Sequence, residues 1–340
     1  MIASCHFPGL FRQLVGPQSM RYKSTHLLSP TPFFAACLCI CQLVRAAAAT
    51  EPPVTSIAFA PDGKSVLAGS QAGLYVYSWP QVKLQRKIQV AALNIHDLAF
   101  SPSGDRLAVG GGTPAEEGVV EIFSWPGGDP VKTLSGHEDA VMAVAWRDES
   151  SVASASLDHS ITIWDTRSGR ATRVLKGHSR GVSSICFLSD QQTLVSAGID
   201  QSLRVWTHGT GVLLHSLNQH TRRVHALALR PGEGRMPVVA SASRDRTVRL
   251  WQPTIGRMVR FVRLKAEPLN VAWLNDGSRI VVACRDGHVR VVDPDTVEVT
   301  QDLPAIDGWA YSLAVHPTDG SVVVGGVNGQ LRRVLPVPAK

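Results

Sequence analysis

Cysteine is nearly missing from the body of this chain. Cys5, Cys37, Cys39 and Cys41 fall in the first 50 residues, and only Cys186 and Cys284 lie beyond them. Two cysteines on strands of different repeats form neither a disulfide framework nor a metal-ligand spacing. Both read as small buried core residues. Acidic residues are missing from residues 1–50, which hold Arg12, Arg21, Lys23 and Arg45. The formal net charge of +7 is therefore concentrated there, and residues 51–340 carry 30 basic against 27 acidic residues. A near-neutral body without a basic–aromatic recognition motif argues against nucleic acid as a partner. No apolar run approaches the roughly 20 residues that a membrane span needs. No long helical period is visible.

Enzyme and cofactor motifs are missing as well. Gly63-Lys64-Ser65 mimics the end of a phosphate loop, but Ala58 stands where its first glycine belongs. Gly110-Gly111-Gly112 has no helix after it, so it is no dinucleotide fingerprint. Cys284 and His288 flank one tight turn, and His220 and His225 another, without a complementary pair to complete a zinc site. There is no Cys-x-x-Cys-His haem motif. The expectation is no cofactor and no metal.

The first 50 residues read as a leader. Arg21 and Lys23 precede Phe33–Val44, an apolar run of twelve residues, and Ala46–Ala49 follow it. A positive start, an apolar middle and a small-residue end describe an export signal. Met20 is then the expected start, and Ala47-x-Ala49 the expected cleavage site, ahead of Ala46-x-Ala48. The expected location is periplasmic or secreted. A mitochondrial transit peptide, or a leader retained as an anchor, is the alternative. The domain division is residues 1–50 as leader and 51–340 as the folded body.

What the body has in abundance is repetition. From Gly136-His137 the chain runs through an alternating strand (Val141, Ala143, Ala145) and a second one, Val152–Ser156. A tight turn at Asp158-His159 leads to Ile161–Asp165. Three short strands between turn residues make a β-meander. The sequence then repeats, from Gly177-His178 and again from Gln219-His220. Trp164, Trp206 and Trp251 are spaced 42 and 45 residues apart. Inner strands end on Phe59, Phe100, Trp146, Phe187, Leu229, Trp273 and Val315, at intervals of 41, 46, 41, 42, 44 and 42. That gives seven repeats. A fourth strand follows the Trp position in each of the first six. Insertions at Thr113–Glu117 and Gly232–Pro237 are polar and contain proline, so surface loops are expected.

A Gly-His start, a Trp-Asp end and a period of 40–45 resemble the WD-repeat family, over residues 54–335. The leader makes the chain similar to exported bacterial WD-repeat proteins. The resemblance implies an all-β, seven-bladed β-propeller of four-stranded antiparallel blades. The last blade is expected to have three strands, because only Pro336–Lys340 follow the final one. Its edge would then be open to pairing with another chain, unless residues near Gln42–Ala48 are retained and close the ring. In the family, His, Ser/Thr, Asp and Trp form a structural hydrogen-bonded set. Three repeats carry all four: His137, Ser154, Asp158 and Trp164; His178, Ser196, Asp200 and Trp206; His220, Ser241, Asp245 and Trp251. The outer repeats have Tyr77, Phe123, Val292 and Val334 at the Trp position, and are expected to rely on apolar packing alone.

The expected function is a non-catalytic interaction platform. A propeller hydrolase or lactonase is the alternative, and it lacks the clustered acidic and His ligands such a site needs. The binding face is expected where the inner strands begin. Alternate residues there should point at the channel mouth: Asn94 and His96, Ala140 and Met142, Gly181 and Ser183, Arg223 and His225, Glu267 and Leu269, Trp309 and Tyr311. Residues before the turn aspartate reach the same rim: Leu157, Ile199, Arg244 and Arg285. Repeats five to seven thus gather Arg223, His225, Arg244, Arg285, Trp309 and Tyr311. Arginine and aromatic residues anchor interfaces, and the guanidinium fork suits carboxylates. The expected partner is a protein or peptide segment, acidic or rich in aromatic residues.

Overall fold

The computed structural model describes residues 51–92, 94–232 and 236–336. The chain divides into Met1–Ala46 and Ala47–Lys340, and the described residues belong to the second unit. The leader, its four cysteines and the cleavage site lie outside the described residues. So do the middle of the Gly232–Pro237 insertion and the tail after residue 336.

Among the described residues, twenty-seven strands build seven antiparallel sheets. Blade 1 is β1 (Ser56–Phe59), β2 (Ser65–Ser70), β3 (Gly73–Ser78) and β4 (Lys83–Ile88). Blade 2 is β5 (Ile95–Phe100), β6 (Arg106–Thr113), β7 (Glu117–Ser124) and β8 (Pro130–His137). Blade 3 is β9 (Val141–Asp148), β10 (Ser151–Ser156), β11 (Ser160–Asp165) and β12 (Ala171–Lys176). Blade 4 is β13 (Val182–Phe187), β14 (Thr193–Gly198), β15 (Leu203–Thr207) and β16 (Leu213–Leu217). Blade 5 is β17 (Val224–Leu229), β18 (Val239–Ser243), β19 (Thr247–Gln252) and β20 (Arg257–Arg263). Blade 6 is β21 (Pro268–Trp273), β22 (Ile280–Cys284), β23 (His288–Val292) and β24 (Val299–Pro304). Blade 7 has only β25 (Ala310–Val315), β26 (Val322–Gly326) and β27 (Leu331–Val334) among the described residues.

Each inner strand meets the inner strand of the next blade, and β25 returns to β1. The fold is therefore a closed seven-bladed β-propeller. The core is divided accordingly. Its seven buried clusters each straddle two adjacent blades, such as Ala155, Ile161 and Leu175 of blade 3 with Val182, Ile185 and Trp206 of blade 4. No blade has a core of its own, which is why one repeat cannot fold alone. The second strands are covered on both faces, so both sets of side chains must be small or apolar. β10 reads Ser-Val-Ala-Ser-Ala-Ser and is buried throughout, while β4 and β12 are largely exposed.

The ring closes between blades 7 and 1 without a fourth strand in blade 7 among the described residues. The Val54 N–H donates to the Gly326 carbonyl at 3.0 Å, and Ser312 Oγ donates to the Val54 carbonyl at 3.0 Å. His316 Nε2 donates to the Gly63 carbonyl at 3.0 Å, and its ring stacks on Trp79. β27 pairs only with β26, so its outer side is an edge among the described residues.

Two expectations need correction. Thr113–Glu117 is not simply an added loop. Thr113 and Glu117 pair as the last rung of a lengthened β6–β7 hairpin, leaving a short turn. Nor do the outer blades rely on apolar packing alone. In blade 6 the buried Arg290 holds Asp286 at 2.6 and 3.0 Å and Asp302 at 3.4 Å, and His288 meets Asp302 at 2.7 Å. In blade 2 the buried Glu121 accepts the N–H groups of Ala91 and Ala92 at 3.0 and 2.8 Å. Buried polar groups there are satisfied by a different set of residues. No helix among the described residues is long and apolar enough to cross a membrane.

Candidate functional site at the channel mouth

The three complete His-Ser-Asp-Trp sets are bonded units. In blade 3, His137 Nδ1 lies 2.6 Å from Asp158, and its Nε2 lies 2.7 Å from Ser154 Oγ, which accepts the Trp164 N–H at 2.7 Å. In blade 4 the same contacts are 2.9 Å (His178–Asp200), 2.8 Å (His178–Ser196) and 2.8 Å (Trp206–Ser196). In blade 5 they are 2.8 Å (His220–Asp245), 2.7 Å (His220–Ser241) and 2.8 Å (Trp251–Ser241). Burial alone would raise the pKa of each aspartate. The histidine hydrogen bond, with further donors from Ser160, Ser202 or Thr247, outweighs it and holds each well below its usual range. The three serines are 0% exposed, and each Oγ is taken by an indole and an imidazole. A Ser-His-Asp arrangement sealed in this way has no place for a substrate.

The mouth of the channel lies elsewhere. Arg223, His225, Arg244, Arg285, Trp309 and Tyr311 all line one cavity of about 610 Å³. His96, Met142, Ser183, Leu269, Leu157 and Ile199 line it too, whereas Asn94, Ala140 and Gly181 do not. Asn94 is turned aside, its side-chain N–H donating to the Gly112 carbonyl at 3.1 Å. The residue preceding the turn aspartate is set by one repeated backbone bond. Leu157, Ile199, Arg244 and Arg285 donate their N–H to the carbonyls of Ala140, Gly181, Arg223 and Glu267 at 2.8–3.0 Å.

Alternation along the inner strands misses part of the lining. Asp97, Ser184, Ala226 and Asn270 also face the cavity, each directly after a residue that already does. The cause is a break in register at the start of β5, β13, β17 and β21. A bulge lets two consecutive residues point the same way, and no sequence signal marks it here.

Charge is distributed unevenly around the mouth. Glu267 takes His225 Nε2 at 2.8 Å and Arg285 Nη1 at 3.2 Å. Arg285 lies over Trp309, its guanidinium carbon 4.0 Å from the ring centre, a cation–π contact. Arg223 and Arg244 are exposed, and neither side chain has a hydrogen-bond or ion-pair partner among the described residues. Burial lowers the pKa of His225, Glu267 pulls it up, and Arg223 and Arg244 push it down. His225 is therefore neutral near pH 7, with Nε2–H as donor to Glu267. Deeper in, Asp97 is pushed up to about 7 by burial, although the N–H groups of Val144 and Leu98, each at 2.9 Å, oppose that. No metal-binding cluster of His, Cys, Asp or Glu occurs among the described residues.

A ring of seven antiparallel blades, six of four strands and the last of three among the described residues, with three buried His-Ser-Asp-Trp sets and a polar axial mouth, defines a class of repeat propellers. The family model for WD domain, G-beta repeat matches residues 41–78, 128–165, 169–207, 211–252 and 266–293, more than half of the chain. The chain belongs to the WD-repeat family. The unmatched stretches hold most of blade 2 and all of blade 7, which lack the full set. The first match begins at residue 41, inside the stretch read as leader. The chain is 29% identical over 66% of its length to Periodic tryptophan protein 2 homolog of Dictyostelium discoideum, covering 24% of that protein. It is 34% identical over 49% of its length to Nuclear distribution protein nudF of Emericella nidulans, covering 38% of it. It is 32% identical over 29% of its length to Coronin-7 of Mus musculus, covering 11% of it. The chain thus spans less than two fifths of each of these relatives.

Proposed function

We infer that this chain is a non-catalytic protein-interaction platform whose mouth, on blades 5 to 7, takes an acidic or aromatic-rich peptide segment of a partner. One observation carries the reading. Arg223 and Arg244 stand exposed and, among the described residues, unpaired at a cavity of about 610 Å³, beside the Arg285–Trp309 cation–π pair. Unpaired guanidinium groups beside an aromatic face suit a carboxylate and an adjoining ring. A hydrolase reading has no comparable support, since the Ser-His-Asp sets are sealed. The test is affinity purification of a partner by the wild-type chain, followed by Arg244→Ala, Arg285→Ala and Trp309→Ala. Each should weaken binding by about 1–2 kcal/mol or more, with folding unchanged. If all three bind as the wild type does, the partner sits elsewhere, the edge of β27 being the next surface to test.

Export is a companion proposal, resting on the acid-free leader, its apolar run and its alanine-rich end. It is checked by sequencing the N-terminus of the mature chain. A start at Thr50 supports cleavage after Ala49, and a chain that keeps residues 41–49 contradicts it.

A further inference from the structure

We propose that Glu267 is a built-in stand-in for the ligand's acidic group, occupying Arg285 until a ligand carboxylate replaces it. The proposal rests on the peptide-binding reading of the same mouth. Three arginines ring the cavity, and among the described residues only Arg285 has an acidic partner. That partner is a side chain of the cavity wall itself, 10% exposed, and shared with His225. Glu267 is not needed to shape the wall. Its backbone carbonyl holds the Arg285 N–H at 2.8 Å, and Ala140, Gly181 and Arg223 hold the equivalent bond in blades 3 to 5 with unrelated side chains. The carboxylate is therefore not required for that backbone bond, and it is spent on His225 and Arg285, the two groups that a ligand would use. Among the described residues only one nitrogen of Arg285 is engaged, and the side chain is 43% exposed, so its remaining N–H edge is open to an incoming anion. The Trp309 ring, its centre 4.0 Å from the guanidinium carbon, keeps the guanidinium at the mouth during the exchange. Beside it lies a second, open cleft, lined by Arg244, Arg246 and Arg285 with Ala266 and Trp309, and by the acidic Glu267 and Asp286. Arg223 and Arg244 would take the ligand's first acidic group, and Arg285 a second one as it leaves Glu267.

Two acidic groups in the ligand, flanking an apolar or aromatic residue that packs on Trp309, are the chemistry this arrangement selects. The probe is a fluorescein-labelled peptide of four glutamates around one phenylalanine, with its lysine counterpart as control. Fluorescence anisotropy at low ionic strength reads the affinity of the full chain. Glu267→Gln keeps the shape and removes the competing charge. It should tighten binding of the acidic probe about threefold or more, the scale of one exposed charge-assisted contact. Glu267→Ala should do the same, which guards against an effect of the glutamine itself. Both gains should vanish in an Arg285→Ala background. If probe binding depends on Arg223 and Arg244 while Glu267→Gln binds no better than the wild type, the stand-in role is overturned and the binding site survives. If Arg223→Ala/Arg244→Ala binds as well as the wild type, or if no variant binds the probe, the acidic-ligand reading falls with it.

Discussion

A buried serine hydroxyl can satisfy two neighbours at once, and Ser196 does so for His178 and Trp206 at 2.8 Å each. Ser196→Ala leaves a buried indole N–H and a buried imidazole nitrogen unpaired. Urea denaturation should show a loss of about 1–3 kcal/mol. Asp200 carries a pH signature. Its folded pKa is below its unfolded value, so its contribution is present above about pH 4 and is lost as pH falls further. Asp200→Asn should flatten the acid limb of a Tm-against-pH curve. Asp97 works in the other direction. Its pKa rises from 3.8 to about 7, so its contribution is full below 3.8 and is lost as pH climbs through 7. Asp97→Asn should remove that fall in Tm between about pH 4 and 7. The Asp200 group was legible because serine, aspartate and tryptophan keep fixed spacings of four and six in three repeats. Asp97 was not, because its place in the channel depends on the bulge at the start of β5.

At the level of elements, strand count separates the blades. Blades 3 to 5 carry the full bonded sets, while blade 7 has three strands among the described residues and a terminal β27. Amide hydrogen exchange should follow this order. Amides of β10, β14 and β18 should exchange only at the global unfolding limit, and those of β27 earliest. Equal protection in blades 3 and 7 would contradict it. The Arg290 and Glu121 anchors place blades 6 and 2 between these extremes. The period of 41–46 residues made seven blades legible, since a turn motif such as Pro61-Asp62-Gly63 or Asn275-Asp276-Gly277 follows most inner strands. The replacement anchors were hidden. An arginine four residues after Asp286 reads as an ordinary exposed strand residue, and only the contact of β24 with β23 brings Asp302 onto it.

At the scale of the whole molecule, the ring brings together residues from three repeats that are about 90 positions apart in the chain. Arg223 and His225 come from blade 5, Glu267 and Arg285 from the approach and turn of blade 6, and Trp309 and Tyr311 from blade 7. Their gathering was legible because each lies at the same position of its repeat. The role of Glu267 was not, because one carboxylate among arginines reads as a neutral rim residue until its two contacts are seen. Two surfaces are proposed as the docking place of a partner: this mouth, and the edge of β27. Site-specific photo-crosslinking separates them most directly. A benzoylphenylalanine would be placed in turn at Tyr311, in the mouth, and at Arg332, on the edge strand, and each chain would be irradiated with its purified partner. Covalent capture from position 311 and none from position 332 is the expected result. Capture from position 332 alone would contradict the mouth as the binding site.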